Sequence, residues 1–313
     1  MARYLVTGGG GFIGSNLVHA LLVRGQHVRV LDDFSTGKPE NLADVLSDIE
    51  LAEGSICDKD LLPAVFKGVD YCLHLAALPS VPRSIEAPWQ CNRSNVEGSI
   101  NVLLAARDAG VRRVVVASSS SVYGNAAEMP ASETAPIAPI SPYGVSKAAI
   151  EMYARVFAGI YRMDIVALRY FNVFGPRQDP NSAYAAVIPA FIRRMRRGEC
   201  PHVDGDGLQG RDFTYVANVV DANIRVCEFP GPLAGTYNIA CGATTTILGI
   251  ANALNAIMGV DLQPEFGPPR PGDIRQSYAD ISKAEVAFGY RPLVAIEDGL
   301  AQTVAWFDGA TKG

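Results

Sequence analysis

A glycine-rich segment follows the first apolar run of the chain and opens the first helical pattern. The apolar run covers 3–7, the segment TGGGGFIG covers 7–14, and the helical pattern ends before Gly25. A strand, a glycine turn and a helix in this order begin a β-α-β unit, whose strands lie parallel. This segment therefore constrains the fold of everything that follows it.

The same alternation of short apolar runs and helical patterns continues through the first half of the chain. Such runs joined by helices predict a parallel sheet covered on both faces, with right-handed crossovers. The predicted strands are 3–7, 27–31, 49–52, 69–76, 111–118 and 165–170. The predicted helices include 59–66 and a long helix that ends at Ala109. We therefore predict an α/β fold, a Rossmann-type doubly wound parallel sheet with a smaller mixed α/β region.

The regular alternation of strand and helix patterns ends after Phe174, where a loop rich in glycine and proline begins. Helical patterns then alternate with short strands, and they cover 186–197, 218–228 and 247–258. We expect the chain to return to the main sheet near Val216 and Tyr237. The predicted boundaries are 1–170 plus 214–240 for the main domain and 171–213 plus 241–313 for the smaller region.

Composition and charge exclude several classes of partner. The 313 residues carry a formal net charge of −5, which argues against a nucleic-acid partner. The six cysteines form no C-x-x-C pair and the four histidines show no metal-ligand spacing, so we expect no metal site. His74 lies in a predicted strand and is expected to pack in the core. No apolar run reaches membrane-spanning length and no leader pattern precedes the first strand, so we expect a cytoplasmic protein without membrane contact.

Two acidic residues support a dinucleotide site at the glycine turn. Missing side chains let the backbone turn tightly and approach a pyrophosphate held at the N terminus of the following helix. Asp32 and Asp33 end the second strand about 20 residues further on, where an acid can bind the adenosine ribose hydroxyls. Because Asp32 would repel a ribose 2′-phosphate, we predict NAD rather than NADP.

A tyrosine and a lysine four residues apart, Tyr143 and Lys147, lie on one face of a predicted helix. A phenol titrates near ~10, so a phenolate that works near neutrality needs about 4 kcal/mol of preferential stabilisation. One positive charge at about 5 Å supplies roughly 3 kcal/mol of it. The pair is therefore a candidate for proton transfer, although the spacing alone also occurs by chance on surface helices.

Further motifs are spread over nearly the whole chain. They are HLAA at 74–77, SSSSVYG at 118–124, SPYGVSK at 141–147, RYFNVFGP at 169–176, GRDFTYV at 210–216 and RPGD at 270–273. With the glycine turn, they resemble the extended short-chain dehydrogenase/reductase family, and within it the nucleotide-sugar 4-epimerases. The resemblance implies an NAD-dependent enzyme whose main domain binds NAD and whose smaller region binds a UDP-sugar.

The resemblance also implies roles for individual residues. Tyr143 is the expected catalytic base and acid, and Lys147 is expected to lower its pKa and to bind the nicotinamide ribose. Ser119 is the expected catalytic serine, although Ser120 and Ser121 lie close enough to leave that choice open. The other expected cofactor contacts are Gly8, Gly11, Phe12, Ile13, Gly14, Asp32, Asp33, Phe34, Ser55, Ile56, Ala76 and Tyr170. The other expected substrate contacts are Ser80, Val81, Ser120, Asn172, Ala186, Val187, Arg211, Arg270, Asp273 and Ser277.

The serines at 120 and 121 bear on the type of reaction. Dehydratases of this family place an Asp-Glu pair there, and decarboxylating relatives typically keep an acid at the second position, whereas this chain has Ser120 and Ser121. A site with one base and a hydride acceptor, but no second acid, suffices for an epimerase. The resemblance thus implies reversible 4-epimerisation of UDP-hexoses through a 4-keto intermediate.

Ser277 aligns with a position that gates the sugar pocket in this family. A tyrosine there accompanies glucose-only enzymes, and a small residue leaves room for a 2-acetamido group. Pro79 stands where many glucose-type enzymes carry a lysine, and its segment looks like those that act on N-acetylated sugars. The resemblance thus implies UDP-N-acetylglucosamine and UDP-N-acetylgalactosamine as substrates, and it leaves the plain UDP-hexoses open as further ones. A loop serine without a gating role is the alternative for Ser277.

Other functions and a partner remain to be considered. A UDP-glucuronate 4-epimerase or decarboxylase is one alternative, and a dinucleotide-binding regulator without catalysis is another, since fold does not fix function. Such regulators commonly lack the tyrosine and the lysine, which this chain retains. Apolar residues occupy more than one face of the helical segments 96–109 and 148–161, so we expect a homodimer through a four-helix contact.

Overall fold

The first half of the chain folds as alternating strands and helices. The computed structural model describes residues 1–125, 128–180, 186–269 and 274–310. In chain order its first elements are β1 (Arg3–Thr7), α1 (Phe12–Val23), β2 (His27–Asp32), a 3₁₀ segment (Pro39–Asp48), β3 (Ile49–Glu53), α2 (Leu62–Phe66), β4 (Tyr71–His74), α3 (Val81–Glu86), α4 (Pro88–Asn92), a π-helical segment (Arg93–Glu97), α5 (Gly98–Asp108), β5 (Arg113–Ser119), a 3₁₀ turn (Ser120–Val122), α6 (Pro142–Tyr161) and β6 (Ile165–Tyr170).

The second half contains shorter strands and forms small sheets. Its elements are β7 (Val173–Phe174), α7 (Val187–Arg196), β8 (His202–Asp204), β9 (Gly210–Arg211), β10 (Thr214–Tyr215), α8 (Val216–Glu228), β11 (Gly235–Ile239), β12 (Thr245–Thr246), α9 (Ile247–Met258), β13 (Glu265–Gly267), β14 (Gln276–Ser277), α10 (Ser282–Phe288) and α11 (Ile296–Ala310). Strand β7 pairs with β10, β8 pairs with β13, and β9 lies between β12 and β14.

Seven parallel strands form the main sheet, in the order β11-β6-β5-β4-β1-β2-β3. The order reverses between β1 and β4, and one hydrophobic cluster packs against each face of the sheet. Strand β6 is buried along its whole length, as expected for a parallel strand covered on both sides. The prediction of a doubly wound α/β fold is confirmed.

Three details differ from the sequence-based expectation. The helix predicted at 59–66 is helical only over Leu62–Phe66. The long helix predicted to end at Ala109 is interrupted, because Pro82 and Pro88 lie in the first turns of two separate short helices, where proline is tolerated. The chain returns to the main sheet at Tyr237, in β11, whereas Val216 begins α8, which packs against the sheet as a helix.

Within the described ranges, none of the helices combines the length and the apolarity that a membrane span requires. In the same part of the chain, no three His, Cys, Asp or Glu side chains are grouped so that they could hold a metal ion.

Candidate active site

A cleft opens at the carboxyl ends of β1 and β4, where the strand order reverses, which is the usual ligand position in such sheets. Its cavity volume is about 200 Å³. The predicted cofactor contacts that line it are Gly8, Gly11, Phe12, Ile13, Gly14, Asp32, Asp33, Ile56, Ala76, Tyr143, Lys147 and Tyr170. The fold therefore brings together residues from both ends of the predicted NAD site.

The glycine turn is a position where side chains cannot be accommodated. Gly8 has φ +72°, and a Cβ atom there would lie 2.7 Å from the backbone nitrogen of Ala76. A Cβ atom on Gly14 would lie 2.1 Å from the carbonyl oxygen of Gly8. Both contacts are with backbone, which cannot move aside without changing the turn. Glycine is therefore required for this close approach of β1, α1 and the end of β4.

The start of α1 fits the pyrophosphate of a dinucleotide. The helix begins at Phe12 after an extended Gly11, and no side chain of the described residues caps its N terminus. Uncapped amides at a helix N terminus bind anions. The glycine turn and this uncapped helix N terminus together fit the pyrophosphate of NAD.

Asp32 supports the turn as well as facing the cleft. Its buried carboxylate accepts hydrogen bonds from the backbone N–H groups of Gly10 and Phe34, both at 2.8 Å. Burial raises the pKa of this carboxyl group, and the two backbone amides oppose that effect. The side chain therefore connects the end of β2 to the glycine turn, and it also lines the cleft where an adenosine ribose is expected.

Phe34 and Ser55 do not line this cleft. The Phe34 ring packs behind the turn, 2.7 Å from the position that a Cβ atom on Gly10 would take. Ser55 lines an adjoining opening together with Asp33 and Cys57. In this structure the Phe34 ring supports the turn, and its contact with NAD stays a prediction. Ser55 lies in a neighbouring opening rather than in the main cleft.

Tyr143 and Lys147 lie on the cleft side of α6. Ser141 caps this helix by accepting the Gly144 N–H at 3.1 Å, and the Tyr143 N–H donates to Ser84 Oγ at 3.0 Å. Lys147 Nζ lies 5.7 Å from the centroid of the Tyr143 ring. It donates a hydrogen bond to the carbonyl oxygen of Ala117 at 2.7 Å. The predicted neighbourhood of phenol and ammonium is therefore present.

Burial changes the expected titration of this pair. Desolvation raises the pKa of Tyr143 to about 12, and a hydrogen bond from Ser119 opposes this shift. Desolvation also lowers the pKa of Lys147 to about 8. Residue spacing alone did not indicate these effects: both groups lose water on burial, and the ammonium is directed at a backbone carbonyl.

The serine segment joins β5 to a short 3₁₀ turn. Ser119 Oγ accepts the Ser121 N–H at 3.1 Å and also contacts Ser121 Oγ. Of the serines in this segment, Ser119 is the one whose hydroxyl acts on the Tyr143 phenol. Positions 118 to 121 are all serine, so no carboxylate stands beside the phenol in this segment.

His74 has the structural role that the sequence predicts. It is buried, with Nδ1 2.7 Å from Thr7 Oγ1 and Nε2 2.8 Å from Ser99 Oγ. Burial lowers its pKa to about 3, so the ring is neutral near pH 7. It joins the ends of β1 and β4 beneath the cleft.

The predicted substrate contacts come from several loops. Arg211 lies in β9 and donates to the carbonyl oxygens of Gly210 at 2.8 Å and Ile274 at 2.6 Å. In the parallel pairing of β14 with β9, Ser277 is the register partner of Arg211. Asn172 adopts a left-handed backbone conformation, with φ 33°, and its side chain donates to the Asp212 carbonyl at 3.1 Å.

The remaining predicted substrate contacts lie at helix starts or outside the described ranges. Ser80 caps α3, where its hydroxyl accepts the Arg83 N–H at 3.3 Å, and Val81 follows it. Ala186 precedes α7, and Val187 is its first residue. The predicted contacts outside the described ranges are Arg270 and Asp273.

Several functional candidates escaped the sequence-based prediction. Gly37 and Ser94 also line the cleft, the latter from the π-helical segment inside what was expected to be a continuous helix. Asp212, beside Arg211, is fully buried, and its carboxylate accepts the N–H groups of Cys241 at 2.8 Å and Gly242 at 2.9 Å. The signal for Asp212 was its place in the GRDFTYV motif. For Ser94 the sequence offered none.

A doubly wound sheet with a glycine turn at its reversal point, and a tyrosine-lysine helix beside that turn, define a dinucleotide-binding protein of the short-chain dehydrogenase/reductase type. A family model described as the NAD dependent epimerase/dehydratase family matches residues 4–240. The chain belongs to this family, and its cofactor is NAD. The family resemblance inferred from the sequence motifs is confirmed.

Relatives of known name cover the whole chain. A UDP-glucose 4-epimerase of Mycolicibacterium smegmatis is 41% identical over 312 residues, which are 97% of this chain and 98% of the relative. The UDP-glucose 4-epimerase of Thermotoga maritima, solved with UDP-glucose, has 39% identity and a TM-score of 0.93, with 99% of each chain covered. The UDP-N-acetylglucosamine 4-epimerase of Methanobrevibacter ruminantium, solved with UDP-N-acetylmuramic acid, has 40% identity, a TM-score of 0.93 and the same coverage.

Proposed function

We propose that this protein is an NAD-dependent UDP-sugar 4-epimerase, which interconverts UDP-hexoses through a 4-keto intermediate. The observation that carries the proposal is the placement of Tyr143 and Lys147 in the cleft, next to a segment, 118–121, that offers serine hydroxyls and no carboxylate. One proton-transfer group suffices for oxidation and reduction at a single carbon. The names of the relatives support the same activity.

In the proposed mechanism, the phenol oxygen of Tyr143 takes the proton of the sugar 4-hydroxyl and later returns it. When bound, NAD supplies a hydride acceptor and donor for C4 and a positive charge that favours the phenolate. Ser119, whose hydroxyl lowers the pKa of the phenol, is proposed to orient it, and Lys147 adds a second positive charge. The pKa of about 12 that burial gives Tyr143 makes these charges necessary, since the phenol is otherwise protonated near pH 7.

We further infer that the enzyme accepts UDP-N-acetylglucosamine and UDP-N-acetylgalactosamine, together with the plain UDP-hexoses. Arg211 is the proposed anchor of the diphosphate, because a planar guanidinium binds phosphate oxygens bidentately. Ser277 is its neighbour across the β9 and β14 pairing, so the gate position lies beside the anchor. A serine there leaves the volume that a 2-acetamido group needs.

The proposed NAD-binding and UDP-sugar-binding regions follow the predicted domain boundaries. Residues 1–170 plus 214–240 are proposed to bind NAD, and 171–213 plus 241–313 to bind the UDP-sugar. The strands β9, β12 and β14, which hold Arg211 and Ser277, support the second assignment because they lie within 171–213 or 241–313. We also propose a cytoplasmic location for the enzyme.

A homodimer is part of the proposal. Helix α6 exposes six large apolar side chains, which are Val145, Met152, Tyr153, Val156, Ile160 and Tyr161. Exposed apolar side chains in such number on one helix are typical of a protein interface. Sedimentation at micromolar concentration is expected to give a dimer, and Val156→Glu is expected to shift it towards monomer. A wild-type monomer would contradict the proposal.

Nuclear magnetic resonance of the sugar protons tests the function directly. Purified enzyme is incubated separately with UDP-N-acetylglucosamine and UDP-glucose, without added NAD. Both samples are expected to reach mixtures of the two C4 epimers, and Tyr143→Phe is expected to show no turnover. Accumulation of a keto product with consumption of external NAD would contradict an epimerase. A UDP-glucuronate sample tests the alternative function.

A further inference from the structure

Glu151 and Arg169 form a buried ion pair that the proposed mechanism does not use. Their side chains are 4% and 3% exposed. Arg169 Nη2 donates to Glu151 Oε2 at 2.7 Å, and Arg169 Nε donates to Glu151 Oε1 at 2.9 Å. Desolvation offsets most of the attraction in such pairs, so stability alone is a weak reason for one. Its position gives a better reason.

The carboxylate lies next to the lysine of the candidate active site. Glu151 follows Lys147 by four residues on α6, so both side chains lie on one helical face. Glu151 Oε1 also accepts the hydroxyl of Ser118 at 2.5 Å, and Ser118 lines the cleft. Lys147 donates to the carbonyl of Ala117, the residue before Ser118. One carboxylate thus lies about one helical turn from the ammonium-bearing residue and holds the strand segment to which the ammonium is bonded.

The far side of Arg169 is held by a chain of polar contacts. Its guanidinium carbon lies 4.6 Å from the centroid of the Tyr123 ring. The Tyr123 hydroxyl donates to Asn238 Oδ1 at 2.7 Å. Asn238 Nδ2 in turn donates to the carbonyl oxygens of Ala131 at 2.9 Å and Asp280 at 3.1 Å. The arginine is therefore fixed, and it fixes Glu151.

The other titratable groups around Lys147 are neutral near pH 7. Burial raises the pKa of the Cys91 thiol on α4 and lowers that of His74 on β4 to about 3. The pKa of Tyr143 on α6 is raised to about 12. Desolvation lowers the pKa of Lys147, and Cys91 and then Glu151 oppose it. Because the Cys91 thiol keeps its proton near pH 7, Glu151 is, among the described residues, the anion that favours the charged lysine at that pH.

We propose that Glu151, held by Arg169, is a positioning residue that keeps Lys147 charged and directed at the strand beside the cofactor cleft. The inference rests on the proposed epimerase activity for its kinetic readout. Its second readout, the affinity of the cofactor-free protein for NAD, is independent of any sugar substrate. The ion pair carries no net charge, so removing either partner changes the field at Lys147 in opposite directions.

The experiment compares Glu151→Gln, Arg169→Met and the double variant. kcat and KM for UDP-galactose, and Kd for NAD by calorimetry, are measured from pH 6 to pH 10. Loss of the carboxylate is expected to move the alkaline fall of kcat to lower pH by about one unit or more. A single charge about 6 Å away, one helical turn along α6, changes a pKa by that much. Loss of the guanidinium is expected to move it to higher pH. The double variant, again without net charge, is expected to lie within about half a unit of the wild type.

The NAD affinity is expected to follow the same order. At pH 8.5, Kd for NAD is expected to be about tenfold weaker in Glu151→Gln than in the wild type, because Lys147 has lost its proton. The control is Asp221→Asn, which removes the carboxylate of another helix ion pair, Asp221 with the 40% exposed Arg225 on α8. This control is expected to leave both pH profiles unchanged.

Two results would overturn the proposal. Single variants whose profiles keep the wild-type pH dependence show that the pair does not act on Lys147. A fall in kcat by one factor at every pH, together with a lower Tm, shows a purely structural pair. If one single variant does not fold, the other and the double variant still test the sign. A wild type that epimerises no UDP-sugar refutes the proposed function, while the NAD affinities still decide the role of Glu151.

Discussion

Replacing Lys147 by methionine removes the ammonium and keeps a side chain of similar length. In the wild type, the Nζ atom of Lys147 lies 5.7 Å from the centroid of the Tyr143 ring. At an effective dielectric constant near 20, a charge at that distance stabilises a phenolate by about 3 kcal/mol. This corresponds to about two pKa units, so kcat near pH 7 is expected to fall about 100-fold in Lys147→Met.

The pH dependence gives the prediction its sign. Because burial lowers the pKa of Lys147 to about 8, the ammonium is charged below that pH and loses its proton above it. The kcat of the wild type is therefore expected to fall above pH 8. Lys147→Met has no such fall, and its kcat is expected to rise about tenfold per pH unit while Tyr143 ionises. The two enzymes thus converge at alkaline pH.

The assay is initial-rate epimerisation of UDP-galactose from pH 6 to pH 10, with NAD occupancy of each variant measured by absorbance. The matched control is Lys283→Met. Lys283 Nζ lies 4.8 Å from the centroid of the Tyr237 ring and donates to the Thr236 carbonyl at 2.7 Å, so it has the same local geometry outside the cleft. A Lys147→Met enzyme within threefold of the wild type at pH 7, with the alkaline fall retained, would refute the electrostatic role.

Three further substitutions test other parts of the site. Ser277→Tyr is expected to abolish turnover of the N-acetylated sugars and to spare UDP-glucose, and Ser277→Ala is the control. An unchanged sugar preference in a competition assay would show that residue 277 does not gate the sugar pocket. Asp212→Asn replaces one of the two acceptor oxygens by an amino group, so backbone amides that the carboxylate now accepts lose their acceptor. Urea unfolding is expected to show a loss of about 1–3 kcal/mol, and kinetics are expected to show a KM that rises more than kcat falls. An unchanged urea midpoint contradicts this. Gly14→Ala places a Cβ atom 2.1 Å from the Gly8 oxygen and is expected to yield protein without bound NAD, whereas Gly159→Ala, whose Cβ meets no described atom within 4 Å, retains it. Equal NAD content in both variants would show that the close packing at the glycine turn is not needed for NAD binding.

The cofactor end of the site could be predicted because its signals are local. The glycine turn and Asp32 follow consecutive strands of a β-α-β unit, and Tyr143 and Lys147 share one helix turn. Each of these relations depends on residue spacing alone, which the sequence displays. The strand order then placed these elements around one cleft, as the right-handed crossover of parallel strands requires.

Other features depend on contacts between distant segments. The pairing of Ser277 with Arg211 joins two short strands, neither of which has a hydrophobic period long enough to predict register. The ion pair of Glu151 with Arg169 joins a helix to the carboxyl end of a strand, between residues 18 apart in sequence. Burial of Lys147 is likewise a property of the packed structure, and for that reason spacing predicted a depressed phenol pKa where desolvation raises it.

The pairing of β9 with β14 places the proposed diphosphate anchor and the proposed gate of the sugar pocket on two different strands. Arg211 and Ser277 occupy the same rung, yet each strand is held there by backbone hydrogen bonds, such as that from the Asp212 N–H to the Ser277 carbonyl at 2.9 Å. With the proposed roles of Ser277 and Arg211, a change of side chain at 277 resizes the sugar pocket without displacing the arginine. In a lineage of such proteins, the proposed sugar preference can then change by single substitutions while nucleotide binding is retained.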